Sequence, residues 1–101
     1  MSAHEQVEKI RAAVAEELGC CRTMFDAVGL TWSQPELVVW NQSEDQYTAE
    51  LKVEFSEDGD LVDIFEFFVC RDGVLTATEH EVRAWIRENA PDVVQRRQSG
   101  G

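Results

Sequence analysis

Residues 47–75 read YTAELKVEFSEDGDLVDIFEFFVCRDGVL, and this stretch decides the fold. Over its first ten residues, apolar and polar side chains alternate strictly, which is typical of an antiparallel strand with one buried face. Asp58-Gly59 and Asp72-Gly73 have the composition most typical of a two-residue hairpin turn. The stretch therefore predicts three consecutive antiparallel strands, at residues 47–56, 61–71 and 74–77.

Helical patterns precede this meander. Ser2 and Glu5 have the spacing of a capping box, and apolar residues recur at helical steps from there to Gly19. Glycine inside a helix costs about 1 kcal/mol relative to alanine, so we expect a left-handed stop at Gly19 and a second short helix ending at Gly29. The short run at 37–40 is rich in β-branched side chains and predicts a further strand.

A second capping box, Thr78 and Glu81, marks the start of a closing helix that is predicted to end at Pro91. Residues 1–94 are expected to form a single domain, and the polar, glycine-containing segment 95–101 a disordered tail. The predicted class is α+β. In it, an antiparallel meander sheet of three or four strands packs against an N-terminal segment of one or two helices and a C-terminal helix.

The chain has 101 residues, 20 of them acidic and 9 basic, with a formal net charge of −11. This length fits one domain, and the negative charge disfavours contact with nucleic acid. No apolar run is long enough to cross a membrane, and the N-terminus lacks the pattern of a signal peptide. An odd number of cysteines does not indicate a disulfide framework. We therefore expect a cytoplasmic protein that binds neither nucleic acid nor membranes.

No motif in the sequence indicates catalysis, a metal site or a cofactor. The glycines are scattered rather than gathered in a phosphate-binding loop, and the two histidines, His4 and His80, lie far apart. Cys70 and His80 are the thiol and imidazole closest in sequence, and nothing around them suggests an activated nucleophile. The expectation is a protein that is not an enzyme and that holds no metal or cofactor.

The predicted strand at 61–71 is apolar on both faces, so both faces need cover. Each predicted helix has one narrow apolar stripe, and the two together can shield one sheet face. A second copy of the chain is expected to cover the other face, which predicts a homodimer. The candidate interface residues are Phe65, Phe67 and Val69, or Ile64 and Phe68 if the opposite face is the uncovered one.

One acidic residue of this strand is expected on the buried face, and the turn before it decides which. A two-residue turn at Asp58-Gly59 places Glu66 there, whereas a three-residue turn places Asp63 there. Such an acid either has a raised pKa and binds a cation or transfers protons, or pairs with an arginine such as Arg83 or Arg87. The sequence leaves both assignments open.

Acidic residues are concentrated in the middle of the chain, where residues 44–72 carry ten acidic side chains and two basic ones. A surface of this kind steers cationic surfaces toward it. The favoured function is therefore a small interaction module for a basic protein, such as an adaptor, inhibitor, immunity-like protein or chaperone. The predicted contact residues are Glu50, Glu54, Glu57, Asp58 and Asp60.

The alternative function is a small-molecule-binding domain that holds a cationic or apolar ligand between sheet and helices. Aromatic side chains would form the walls and one buried acid the anchor. The candidate pocket residues are Trp32, Trp40, Tyr47, Glu66 and Phe68. Salt-dependent binding to a basic bait favours the interaction module, whereas a salt-insensitive thermal shift with hydrophobic amines favours the ligand-binding domain.

Overall fold

Two helices, five strands and a long helix follow one another in the computed structural model, which describes residues 2–99. This arrangement confirms the α+β class. In chain order the elements are α1 (Ala3–Cys20), α2 (Arg22–Asp26), β1 (Leu30–Trp32), β2 (Glu36–Asn41), β3 (Thr48–Glu57), β4 (Asp60–Arg71), β5 (Val74–Leu75) and α3 (Glu79–Ser99), with a short 3₁₀ helix at Glu44–Gln46.

The strands form one antiparallel sheet with β3 at its centre. β4 pairs with one side of β3, while β1 and β2 both pair with the other side, at opposite ends of the strand. β5 pairs only with the last two residues of β4. The sequence predicted β2 to β5 but not β1, because three residues are too few to show an alternating pattern.

Both Asp-Gly pairs form the predicted turns. Asp58 and Gly59 have φ angles of 53° and 84°, and Asp72 and Gly73 have φ angles of 50° and 79°. Two consecutive residues in the left-handed region define the type I′ turn, whose twist matches that of the flanking strands. The two turns therefore lead directly from β3 to β4 and from β4 to β5.

The N-terminal helices form as predicted, except at the break between them. The Ser2 hydroxyl accepts a hydrogen bond from the Glu5 N–H at 3.3 Å and caps α1. The predicted left-handed stop at Gly19 is wrong, since α1 continues through Gly19 and the helical pattern breaks at Cys21. Gly29, with a φ of 73°, follows α2 as expected.

The capping box of α3 is confirmed, and the predicted end of this helix at Pro91 is wrong. Thr78 and Glu81 exchange two hydrogen bonds of 3.1 Å, one from each backbone N–H to the other side chain. These bonds from Thr78 lower the pKa of the Glu81 carboxyl. At its other end the helix passes through Pro91 and continues to Ser99.

Tertiary contacts explain why α3 continues. Proline inside a helix costs about 3 kcal/mol. Val93 and Val94 beyond it are buried, and burial of such a side chain stabilises by about 1.5–3 kcal/mol. Residues 95–99, expected to belong to a disordered tail, are helical, while residues 100–101 of that tail lie outside the described residues.

The core lies between the two long helices and one face of the sheet, which we call the inner face. β3 presents Leu51, Val53 and Phe55 to this core, and the apolar stripes of α1 and α3 pack on them. The two helices run side by side in the same direction. Arg83 bridges them with ion pairs of 3.2 Å and 3.3 Å to Glu16 and Glu17.

The predicted dimer-interface residues Phe65, Phe67 and Val69 require a correction. Phe65 and Val69 are buried in the protomer, and Phe67 packs on the ring of Trp85 with centroids 5.1 Å apart. The helices of the protomer itself cover these side chains, because both helices lie on the inner face. The opposite face of β4 carries Ile64 and Phe68, the other set that the sequence offered.

Gly73→Ala is expected to destabilise the protein more than the matched change Gly59→Ala. Both glycines have left-handed backbones, which cost an L-residue about 1–2 kcal/mol. A Cβ at Gly73 would also meet the Asp45 carbonyl oxygen at 3.0 Å, whereas a Cβ at Gly59 would have no neighbour within 4 Å. Urea denaturation of both variants measures the difference. Equal losses of unfolding free energy would contradict the close approach at Gly73.

Candidate functional site

The second face of the sheet, which we call the outer face, alternates apolar and acidic side chains. Across the β3–β4 hairpin it pairs Glu50 with Phe68, Lys52 with Glu66, and Glu54 with Ile64. Two apolar residues of β4 are strongly exposed, with 58% of Leu61 and 37% of Ile64 accessible to solvent. On β2, Val38 lies opposite Glu50, and Trp40, the extra residue of a bulge, is 65% exposed.

Glu50 is the most buried acid of the outer face, with only 9% of its surface exposed. Its cross-strand neighbours are Val38 on one side and Phe68 on the other. Burial raises the pKa of Glu50, and the charge of Glu66 together with a hydrogen bond to it raises the pKa further. Lys52 acts in the opposite direction.

The five predicted acidic contact residues do not form one continuous patch. Glu50 and Glu54 lie on the outer face, where Glu50 is buried and Glu54 is half-buried. Glu57 accepts hydrogen bonds from the Arg97 guanidinium, with a distance of 2.9 Å from Nε, and is thereby bound to α3. Asp58 and Asp60 are exposed in the turn at the end of the hairpin.

The predicted pocket residues are not brought together either. Trp32 packs beside Phe25 with ring centroids 5.2 Å apart, and Tyr47 is buried under the ring of His4 at 3.8 Å. The three other residues lie elsewhere. Trp40 is exposed on β2, and Glu66 and Phe68 belong to the outer face.

The register of the hairpin decides which acid faces the helices. The turn has two residues, and Ser56 pairs with Leu61, but a bulge at Val62 then shifts the register by one. Phe55 consequently pairs with Asp63, which reaches the inner face although the turn length alone predicts Glu66 there. Turn length therefore does not determine the face in this hairpin.

The arginine that binds Asp63 differs from those expected. Arg96 donates from two guanidinium nitrogens to Asp63 Oδ2, at 3.0 Å and 2.5 Å. The expected partners Arg83 and Arg87 both bind Glu17 of α1 instead. Asp63, the acid of the inner face, therefore forms an ion pair with Arg96 of α3 at the end of the sheet.

A groove beside β4 is the feature that the sequence did not predict. It has a volume of about 400 Å³ and lies where β5 ends and α3 begins. Its lining residues are Phe67, Phe68, Thr76, Ala77, Glu81, Val82 and Trp85. The capping box at Thr78 is the sequence feature that could have indicated this groove. A helix that starts there leaves β5 too short to cover β4.

Two of the three cysteines, Cys21 and Cys70, have the character of packing residues, whereas Cys20 is exposed. Cys70 is buried, and its thiol donates to the Tyr47 carbonyl oxygen at 3.2 Å. Burial raises the pKa of the Cys70 thiol, and burial likewise raises that of Cys21. A raised pKa disfavours the thiolate, which is the nucleophilic form of cysteine.

Neither ligand geometry nor comparison with known proteins assigns a function. Within residues 2–99, no group of three or more His, Cys, Asp or Glu side chains could hold a metal ion. No helix in that part of the chain is long and apolar enough to span a membrane. No family model, curated protein or solved structure matches the chain. The functional candidates are therefore the outer face and the groove beside β4.

Glu50→Gln is expected to stabilise the protein at neutral pH. Because the pKa of Glu50 is raised on folding, the folded protein binds a proton more tightly than the unfolded chain does. The unfolding free energy then falls as the pH rises from the ordinary pKa of glutamate through the raised value. Glutamine cannot ionise, so the variant does not lose this unfolding free energy. Its melting temperature should therefore exceed that of the wild type by a few degrees at pH 7.

The pH dependence provides the control for this prediction. Below about pH 4, where glutamate is protonated in both states, the gain from Glu50→Gln should disappear. Glu54→Gln removes the same charge at a half-buried position of the same face and should give a smaller gain. Thermal melts of Glu50→Gln and wild type that coincide at pH 7 would contradict the burial cost.

Proposed function

We propose that this chain is a small, non-catalytic protein-binding module that engages a basic partner through the outer face of its sheet. The observation that carries the proposal is the alternation on that face. Exposed Leu61, Ile64 and Trp40 offer apolar contact area, and the acids Glu54 and Glu66 lie among them. Apolar anchors supply affinity in protein interfaces, and charges around them supply specificity and fast association.

Charge supports a basic partner rather than an acidic one. The chain carries a net charge of −11. On the outer face there are four acids, Glu36, Glu50, Glu54 and Glu66, against Lys52 and the Arg71 guanidinium, which lies 4.0 Å from the centre of the Phe68 ring. A partner that places lysine or arginine beside apolar side chains would match this pattern.

The positions of the chemically reactive side chains support a non-catalytic role. Cys70 is buried and hydrogen-bonded to backbone, whereas His80 is exposed on the first turn of α3. The cysteines at 20, 21 and 70 are all unbridged, which fits the reducing compartment expected for a cytoplasmic protein.

A homodimer is the second part of the proposal, with its interface on the outer face rather than on the helix-covered side. Ile64, Phe68 and Trp40 would meet the same residues of a second copy. Two such faces repel each other electrostatically, and salt screens this repulsion. Dimerisation should therefore strengthen with salt, whereas a complex with a basic partner should weaken.

The alternative function is binding of a small cationic or apolar ligand. It is favoured by the groove beside β4, where Trp85 and Phe67 supply apolar walls and Glu81 an acid. This site replaces the pocket expected from the sequence. A thermal shift with hydrophobic amines that persists at high salt would support it.

The proposed function predicts salt-sensitive binding to a basic peptide. A labelled 15-residue peptide that combines lysines with leucine and tryptophan is titrated by fluorescence anisotropy between 50 and 500 mM salt. Affinity should fall as salt rises. Glu54→Lys on the outer face should weaken binding by roughly threefold to tenfold, because it places like charges together.

Glu88→Lys is the matched control, since it makes the same charge change at an exposed position of α3. Equal losses for the two variants would contradict a contact at the outer face. Light scattering across the same salt range measures the homodimer, and the mass of one chain at every salt concentration would remove that part of the proposal.

A further inference from the structure

The longest strand of the sheet has an edge that is mostly unpaired. β4 has twelve residues. On the side away from β3 it pairs with β5 through Cys70 and Arg71, and the Thr76 N–H just beyond β5 donates to the Val69 carbonyl at 3.1 Å. No other strand among residues 2–99 lies on that side. We call residues 63–68 along this side the β4 edge.

Two hydrogen bonds show which backbone groups face the β4 edge. The Ile64 N–H donates to Oδ1 of Asp63 at 2.8 Å, and the Phe68 carbonyl accepts from the Thr76 hydroxyl at 2.6 Å. In an antiparallel strand the backbone groups of alternate residues point to the same side. Glu66, between Ile64 and Phe68, therefore directs its N–H and its carbonyl toward the β4 edge.

The groove lies directly beside these groups. Phe67 from the inner face and Phe68 from the outer face both line it, so the groove wraps around the β4 edge. Trp85 forms its wall on α3, in contact with Phe65 and Phe67 at centroid distances of 4.9 Å and 5.1 Å. A strand laid along the edge would thus find an apolar recess for one of its side chains.

The opposite edge of the sheet is less suitable. It is formed by β1 and β2, which are separated at residues 33–35, and Pro35 can donate no backbone hydrogen bond. A bulge at Trp40 disturbs it again. The β4 edge is continuous over residues 63–68 and carries the groove.

Charge selects the occupant of the β4 edge. Self-pairing of two copies would bring together chains that each carry a net charge of −11. In the register centred on Glu66, it would also place this acid opposite its own copy, and like charges directly opposite destabilise a sheet. A basic strand instead finds Glu66 on one side of the edge and Glu81 at the groove, and the Arg71 guanidinium is already placed over the Phe68 ring at 4.0 Å.

We propose that the β4 edge binds one extended, lysine- or arginine-containing strand of the partner protein. The strand pairs with the N–H and the carbonyl of Glu66 through backbone hydrogen bonds and places one large apolar side chain in the groove. This inference rests on the proposed function and specifies how the basic partner is held. Main-chain pairing supplies affinity in such strand addition, and the side-chain recess supplies selectivity.

A peptide with alternating lysine and leucine and a central tryptophan is the probe. Two N-methylated versions keep every side chain but block hydrogen-bond donors on one edge of the peptide strand or on the other. Because only one peptide edge can face β4, one version should lose at least tenfold in affinity and the other should bind nearly as the parent does.

The outcomes separate this inference from the proposed function. If the parent peptide binds and both methylated versions bind equally well, the partner is held by side chains alone and the strand-pairing inference is overturned. If the parent peptide does not bind at any salt concentration, the proposed function fails as well. Equal weakening by both versions also overturns the inference, since it shows no preferred edge.

Variants at Glu66 provide the matching test on the protein. Glu66→Pro removes the edge-facing N–H together with the charge, whereas Glu66→Ala removes the charge and keeps the N–H. Glu66→Pro should bind the parent peptide at least tenfold more weakly than Glu66→Ala. Equal affinities of two folded variants would overturn the inference. If Glu66→Pro does not fold, the N-methylated peptides still test whether the partner strand pairs with β4.

Hydrogen exchange tests the β4 edge in the protein alone. The Glu66 amide should exchange rapidly, while the Phe65 and Phe67 amides, which face β3, should exchange slowly. Protection of Glu66 equal to that of Phe65, together with a dimer by light scattering, would identify a second copy as the occupant. The same protection in a monomer would show that the edge is closed. Either result overturns the inference.

Discussion

The placement of both long helices on one face of the sheet is the constraint from which the rest of the structure follows. The inner face of β3 is apolar from Leu51 to Phe55 and is covered by α1 and α3 side by side. Because α1 and α3 both cover the inner face, the outer face is left to the solvent even though β4 carries Ile64 and Phe68 on that side. Acidic side chains lie between these residues, and under the proposed function the same acids would meet a basic partner.

The ion pairs at the far end of the sheet connect α3 to the β3–β4 hairpin. Asp63 reaches Arg96 because a bulge turns it to the inner face, and Glu57 at the end of β3 reaches Arg97. Partly exposed pairs contribute little individually, about 0–1 kcal/mol. Here they act together with the burial of Val93 and Val94, and the helix continues through its proline.

The early start of α3 has a consequence for the edge of the sheet. The capping box at Thr78 begins the helix three residues after β5 ends, and β5 covers only the end of β4. A long unpaired edge is a template for pairing with another chain, and acidic side chains such as Glu66 discourage edge-to-edge pairing with a second acidic chain. In the proposed complex the same charge favours a basic strand, so one physical cause would both disfavour edge-to-edge pairing of two copies and select the partner.

Local chemistry made much of this fold predictable. The capping boxes, the strict alternation of β3 and the Asp-Gly turns depend on residues within a few positions of each other, so the sequence alone determined the order of the main elements and both hairpin turns. Only the tertiary structure decided which sheet face the helices cover, where the bulge at Val62 shifts the register, that α3 passes Pro91, and that a groove opens beside β4. Each of these depends on contacts between residues far apart in the chain, whose free energies no local pattern encodes.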